Sequence, residues 1–375
     1  MRIAIINDPH IDIKGGNANM LKYQRLFWDD LAVDAEAGEF DSIVFNGDFF
    51  HNRHAVTGKA FCEASWMVRK VLKPLIHDRG GWAFAVTGNH DLFYKNSYEY
   101  SVAREHFSLM GIHYAKQDVG WQFFPLGNDQ YAIAFDFRNT PDEYEVMLKQ
   151  IKKDLNINKN VKYVFGHFEM VGFMMTTVMQ NTFTEAMAQD FVSSRFPNLK
   201  RIYSGHYHIP QERGITRYGG VPYELTWDES GMTLGYWILD TETGEEIFKQ
   251  NKRPLHVHLR PEAFEGFNPP SPGYDMQFKV HYSNKDEREK ASEIAAMIRE
   301  AGHGAVLVND DAWVAPDSAA EEEISSYTLE GFFESYLDTH VPADAFGGEK
   351  EKASVKIRLL NRLKELTEAS NNSEF

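Results

Sequence analysis

Five short apolar runs punctuate the first 208 residues: RIAIIN at 2–7, SIVFN at 42–46, WAFAVT at 82–87, VKYVF at 161–165 and KRIYS at 200–204. Runs of this length, rich in β-branched and aromatic residues, predict buried strands. A longer pattern at 57–77 places Phe61, Ala64, Val68, Val71, Leu72 and Leu75 on one helical face. At 100° per residue Trp66 falls nearly opposite that face. It is either an incidental aromatic shielded by Arg69 and Lys70 or an interface anchor. LGYWILD at 234–240 and a final strand around 247–259 complete this region. The Pro- and Gly-rich stretch PEAFEGFNPPSPG at 261–273 then reads as a linker.

A smaller α/β unit follows at 274–315: a strand at 276–282, a helix at 286–301 and a strand at 304–310. It is too short for a large core of its own and is expected to pack on the first domain. Its basic residues Lys279, Lys285, Arg288, Lys290 and Arg299 are interleaved with as many acids, as on a solvated helix face. The acidic segment 316–326 reads as a flexible linker. Beyond it, Leu329, Phe332, Phe333, Tyr336 and Leu337 form one amphipathic stripe, and Val355, Leu359, Leu363 and Leu366 a second. Together they predict a helix-loop-helix over 327–369, ahead of a polar tail.

Each of the five apolar runs ends on potential metal ligands: Asp8 and His10, Asp48, Asn89, His167, and His206 with His208. Strand ends along one edge of a sheet are where loops converge on ligands, so five scattered motifs predict one site. Mixed carboxylate, amide and imidazole donors suit two ions held by a bridging carboxylate, and favour Mn²⁺, Fe²⁺ or Zn²⁺ over Mg²⁺ or Ca²⁺. A closed structural zinc cage is a poor fit, because such cages are rich in cysteine and the chain has only Cys62. A lone His-x-His such as His256 and His258 carries little meaning; five motifs in order, each after a strand, carry much more. The glycines at 47, 88, 166 and 205 predict tight turns beside the ions.

Composition adjusts this picture only at its edges. With 43% hydrophobic residues in 375, the chain can bury a substantial core. No apolar run approaches the roughly 18 residues of a membrane span, MRIAII lacks the length of a secretory signal, and a single cysteine fits a reducing cytoplasm. The formal net charge of −16 argues for weak unaided DNA binding, since nonspecific affinity comes from Lys and Arg against phosphate.

Taken in order, D-x-H, GD, GNHD, GH and GHYH over residues 1–260 resemble the calcineurin-like metallophosphoesterases. GDFFHNR at 47–53, GHFEMVGF at 166–173 and GGVPYELTW at 219–227 are similar to the meiotic-recombination-eleven and SbcD branch of DNA repair nucleases, particularly the compact phage versions. Pro9 departs from the more usual residue of the first motif without removing a ligand. The resemblance implies a four-layer α/β/β/α sandwich with a small α/β cap at 274–315 that helps bind DNA, and a C-terminal helical hairpin. It implies that Asp48 bridges two Mn²⁺ ions, with Asp8, His10 and His208 completing one shell and Asn89, His167 and His206 the other. It further implies that His90 contacts the phosphate and assists the leaving oxygen, with Asp91 orienting it. His51 is left between a substrate contact and a structural role. The implied activity is exonuclease on duplex ends and endonuclease on single-stranded DNA, in the cytoplasm of a bacterium or a phage-infected host. Implied partners are an SMC-like coiled-coil ATPase of the SbcC type, bound by the hairpin, and a second copy of the chain, through helices around 57–77. The alternatives are a phosphatase or cyclic-nucleotide phosphodiesterase on the same core, and a catalytically silent scaffold.

Overall fold

The computed structural model describes residues 1–94, 97–151, 160–176, 180–181, 187, 191–310, 356 and 358. The expected acidic linker at 316–326 and helical hairpin at 327–369 lie outside the described residues, apart from those two isolated positions.

Period-2 alternation explains the architecture. In β1 (Arg2–Ile6), Ile3 and Ile5 face one apolar layer whereas Ala4 and Ile6 face another. In β2 (Ser42–Phe45) and β3 (Trp82–Ala85), Val44 and Phe84 again face the first layer, and Ile43, Phe45, Ala83 and Ala85 the second. Strands buried on both faces read as unbroken apolar runs, which is why these runs show no polar alternation. The outer layer is supplied by α1 (Ala18–Ala37), whose residues Tyr23, Phe27, Trp28, Leu31 and Ala35 recur at helical spacing, and by α2 (Gly58–Leu72). Asn17 caps α1 by accepting the Met20 N–H at 2.8 Å, and Thr57 caps α2 by accepting that of Ala60 at 3.2 Å. The expected helix at 57–77 thus ends as α-helix at Leu72 and continues as a π-helical turn over Lys73–Asp78, where Pro74 supplies no N–H.

Next come α3 (Val102–Ser108), β4 (Ile112–Tyr114), β5 (Trp121–Gly127), β6 (Gln130–Phe135), α4 (Pro141–Ile151), β7 (Val161–His167), β8 (Arg201–Gly205), β9 (Gln211–Arg213), β10 (Thr216–Tyr218), β11 (Leu234–Asp240) and β12 (Glu246–Asn251). One six-stranded sheet runs β12-β11-β1-β2-β3-β4 and the other β5-β6-β7-β8-β10-β9. Strands β1 to β4 are mutually parallel, as are β6, β7, β8 and β10. The sheets pack on each other through Ile3, Ile5, Val44, Phe84, Ala132, Ala134, Phe165 and Tyr203. The far face of the second sheet packs Ile133, Phe135 and Val164 against Tyr144, Met147, Leu148 and Ile151 of α4. The result is an α/β/β/α sandwich.

The expected final strand around 247–259 divides in two. Strand β12 stays with the first sheet, whereas β13 (His256–Leu259) pairs in parallel with β14 (Gln277–Tyr282) in a third sheet ordered β13-β14-β15, where β15 is Gly304–Asn309. Pro254, which cannot donate to a ladder, sits at the break. Helix α5 (Lys285–Glu300) covers this sheet with Ala291, Ile294, Ala295 and Ile298, a core continuous with that around α1. Among the described residues no helix is long and apolar enough to cross a membrane.

Candidate metal centre

All five ligand loops leave the C-terminal ends of parallel strands: β1, β2 and β3 from one sheet, β7 and β8 from the other. The loops are strained where they carry donors. Asp8, His10, Asp48 and His206 have φ of 44°, 41°, 54° and 94°, a region costing non-glycine residues about 1–3 kcal/mol each. Cross-loop hydrogen bonds hold them there: His10 N–H to Asp48 O at 3.0 Å, Asp48 N–H to Asp91 Oδ2 at 2.8 Å and His206 N–H to Asp8 Oδ1 at 3.0 Å. Of the four glycines expected to turn the chain, Gly47 does so, at φ 90°. Gly88 is needed for space instead, because a Cβ there would collide with the Asp48 carboxylate.

The structure brings together all seven residues expected as ligands. Asp8, His10, Asp48 and His167 are buried, and Asn89, His206 and His208 half-buried. Two sets emerge, with Asp48 between them. In one, His10 Nε2 and His208 Nε2 lie 3.1 Å apart, and donor atoms of Asp8, His10 and Asp48 lie within 4.8 Å of one another. In the other, Asn89 Oδ1 lies 2.8 Å from His167 Nε2 and 3.1 Å from His206 Nδ1. Asp48 Oδ2 is 3.6 Å from His10 Nε2 and 3.4 Å from His167 Nε2.

These contacts fit a pair of cations. His208 gives its Nδ1 proton to Glu229 Oε1 at 3.2 Å, and His167 gives its own to the Asn46 carbonyl at 2.7 Å. A carbonyl oxygen can only accept, so in each neutral ring Nε2 presents a lone pair: one toward His10, the other toward the Asn89 oxygen. At His167 that lone pair faces the Asn89 oxygen, another acceptor, and two buried acceptors facing each other call for a cation between them. Titration divides the four imidazoles: burial works against charge on all of them, but the neighbouring carboxylates raise His167 and His208. Burial, reinforced by the neighbouring imidazoles, holds His10 and His206 far below the ordinary histidine range, in the neutral form that ligates. Burial opposes charge on His167 too, yet the Asp48 and Asp8 carboxylates outweigh it and raise its pKa. Asp8 itself is pushed up to about 6 by burial, against the pull of His167.

His90 and His51 stand beside the first set. Their rings stack at 5.2 Å and 23°, and each meets His10 edge-on, at 5.0 and 5.2 Å. Asp91, expected to orient His90, does something else. Its carboxylate accepts the backbone N–H groups of Asp48, Phe49 and Gly88 at 2.8, 2.9 and 2.9 Å, tying two ligand loops together. Burial and the neighbouring Asp48 carboxylate push Asp91 up to about 7. His90 is oriented by a backbone group, donating from Nδ1 to the His51 carbonyl at 2.6 Å, which leaves Nε2 to act.

Two further carboxylates were not singled out by sequence. Asp12 gathers the His51 and Asn52 N–H groups and the Asn52 side chain, shaping the loop that carries His51. Glu229, buried behind His208, also closes a capping box with Thr226. Burial works against its charge, but His208 and Thr226 hold it down at about 2. A T-x-x-E spacing was the only signal for it.

Comparison with known proteins places this geometry. Exonuclease subunit 1 of enterobacteria phage T4 is 27% identical over 213 residues, which are 57% of this chain and 57% of that protein. The chain therefore spans little more than half the length of this relative. Among solved structures, a dimetal phosphatase from Danio rerio aligns at TM-score 0.41 and 12% identity, over 64% of this chain and 91% of that one. A purple acid phosphatase from yellow lupin aligns at 0.37 and 10%, over 68% and 46%. Scores this low add nothing to the assignment. Residues 1–210, more than half of the chain, match the calcineurin-like phosphoesterase family. The chain belongs to that family.

Proposed function

We propose that this protein is a two-metal DNA phosphodiesterase, cutting duplex ends as an exonuclease and single strands as an endonuclease. The observation that carries the reading is the position of Asp48 Oδ2, between His10 Nε2 and His167 Nε2 at 3.6 and 3.4 Å, where one carboxylate can serve two ions. Asp8, His10 and His208 would hold one ion and Asn89, His167 and His206 the other, with Mn²⁺ the ion proposed. Bound there, the ions would supply Lewis acidity toward the phosphoryl oxygens and an acidified water.

The chain's own residues do the rest. His90, its Nδ1 proton committed to the His51 carbonyl, turns Nε2 to the phosphate; as the doubly protonated ring it gives its Nε2 proton to the leaving oxygen and is left neutral. His51, stacked on it, fixes its tilt and offers a second imidazole to the same phosphate or the adjoining nucleotide. Asp91 keeps the Asp48 and Asn89 loops in register. The likeness to a phage exonuclease subunit supports DNA as substrate.

We also propose that the sequence at 327–369 docks on a coiled-coil ATPase of the SMC type, and that the protein acts as a homodimer in the host cytoplasm. The exposed Trp66 is the proposed dimer anchor; its ring is flanked by Arg25 and Lys70 at 4.3 and 5.0 Å, not by Arg69. Deleting 327–375 should abolish co-elution with the ATPase while short single-stranded DNA is still cut. The test of the main reading is incubation with end-labelled duplex and single-stranded DNA in Mn²⁺ beside a generic phosphodiester. Turnover of the small ester with intact DNA would overturn it in favour of a small-molecule phosphoesterase.

A further inference from the structure

Outside the ligand set, the turn after Thr226 touches both the metal centre and the third sheet, β13-β14-β15, called the cap sheet below. The turn Trp227–Glu229 is a single 3-10 turn, capped by Thr226, whose hydroxyl accepts the Asp228 N–H at 3.2 Å. From one side of it the Trp227 ring reaches the cap, lying 4.9 Å from the His256 ring and 5.2 Å from that of His258, with Lys279 Nζ at 4.2 Å. From the other side Glu229 reaches back, with Oε1 3.2 Å from His208 Nδ1 and Oε2 accepting the Thr226 N–H at 2.7 Å and its hydroxyl at 2.8 Å. Both oxygens are used, the residue is 2% exposed, and the carboxylate has little freedom to move.

We propose that Glu229 is the positioning residue of the first metal site: it locks His208 in the tautomer and ring orientation that present Nε2 beside His10 Nε2. The chemical case is direct. Imidazole has two nitrogens, and a carboxylate on Nδ1–H leaves the lone pair on Nε2 and makes it more basic. The other ligand imidazoles are held differently. The Nδ1 proton of His167 goes to the Asn46 carbonyl at 2.7 Å, with the Asp8 carboxylate, itself a proposed ligand, farther off at 3.5 Å, and the Nδ1 of His10 has no hydrogen-bond partner. Because Glu229 sits on the turn that Trp227 anchors to the cap, the orientation of His208 is also tied to where the cap sheet lies. The inference rests on the two-metal reading but not on the identity of the substrate.

Loss of such an orienting group costs about 10- to 100-fold in metal affinity. The test is Mn²⁺ binding to the metal-stripped full chain by calorimetry, for wild type, Glu229→Ala, Glu229→Gln, His208→Ala and the Glu229→Ala/His208→Ala double variant. Glu229→Ala should weaken one of two sites by that factor and leave the other unchanged, with Glu229→Gln, which keeps the volume and an acceptor oxygen, in between. The double variant should bind as His208→Ala does, because a residue acting only through His208 has nothing left to position. Ring-nitrogen NMR should show a single Nδ1–H tautomer for His208 in the stripped wild type and a mixture in Glu229→Ala. Two tight sites in Glu229→Ala, or a further loss when it is added to His208→Ala, would overturn the proposal. A wild type that binds no Mn²⁺ would instead sink the two-metal reading beneath it.

Discussion

The chain carries two His-x-His pairs that share their spacing and a glutamate near one Nδ1, and differ in what surrounds the remaining ring nitrogens. His206 and His208 follow the end of β8, His206 at φ 94°, and each sits among other ligand atoms: Asn89 Oδ1 beside His206, the His10 ring and the Asp8 and Asp48 carboxylates beside His208. His256 and His258 lie within β13 and face Trp227. There His256 Nε2 is 3.0 Å from Lys14 Nζ, its Nδ1 is 3.3 Å from Glu224, and His258 Nδ1 is 2.8 Å from His281 Nε2. A lysine ammonium at that distance occupies the position a metal would need. Histidine density therefore does not make a metal centre; carboxylate, amide and imidazole ligand atoms converging on strained backbone do.

The largest expected effect comes from breaking the carboxylate between the two sets. Asp48→Asn replaces the shared charge with a neutral amide, so metal content and DNA cleavage should fall together to background. Elemental analysis after dialysis, run beside a nuclease assay, is the check; two occupied sites in the variant would remove Asp48 from its bridging role.

His90→Ala separates chemistry from metal holding within the same cluster. The ring touches His10 and His51 but is not needed to complete either donor set, so both ions should remain while turnover drops by about 10²- to 10⁴-fold. Near-normal turnover in a metal-loaded variant would contradict the assignment.

What sequence revealed and what it hid divide along the same physical line. The strands β1, β2, β3, β7 and β8 were legible because each is a short, mostly apolar run, and the ligands because each follows such a run within a few residues. Helix α1 is equally written in the chain, since Tyr23, Phe27, Trp28, Leu31 and Ala35 keep helical spacing, yet it carries no ligand. The division of 247–259 between two sheets was signalled only by Pro254. Asp12, Asp91 and Glu229 could not be assigned from spacing, because each works by accepting hydrogen bonds from groups that are distant in sequence or on backbone. Glu229 and His208 are 21 residues apart, and Asp91 and Asp48 are 43. A carboxylate next to a histidine in sequence suggests a dyad, but the fold gave Asp91 three N–H donors and gave His90 a carbonyl.

That distinction is itself testable. If Asp91 serves the backbone and not His90, Asp91→Asn should show its effect first in stability. The amide must turn its NH₂ toward at least one buried N–H, a loss of about 1–3 kcal/mol. Urea unfolding of the metal-stripped variant should show this shift in midpoint, while the pH dependence of residual cleavage should keep the wild-type shape. A changed pH profile with unchanged stability would restore the dyad.

The smallest effect is expected at the second His-x-His pair, and it sharpens the comparison most. His256→Ala removes a buried ring that packs on Trp227 and contacts Lys14, so unfolding should show an ordinary core cost of about 0.5–3 kcal/mol. Neither donor set uses His256, so Mn²⁺ stoichiometry should stay at the wild-type value. The matched change His206→Ala should strip one ion and most of the activity, because it deletes a donor beside Asn89 Oδ1 at 3.1 Å. The outcome turns on how far Trp227 relays the loss of its neighbour to Glu229. A cap that holds the turn through His258 and Lys279 alone leaves His208 in place, and metal affinity is untouched. Loss of an ion from His256→Ala would mean that the two pairs are not independent and that the cap sheet belongs to the metal centre.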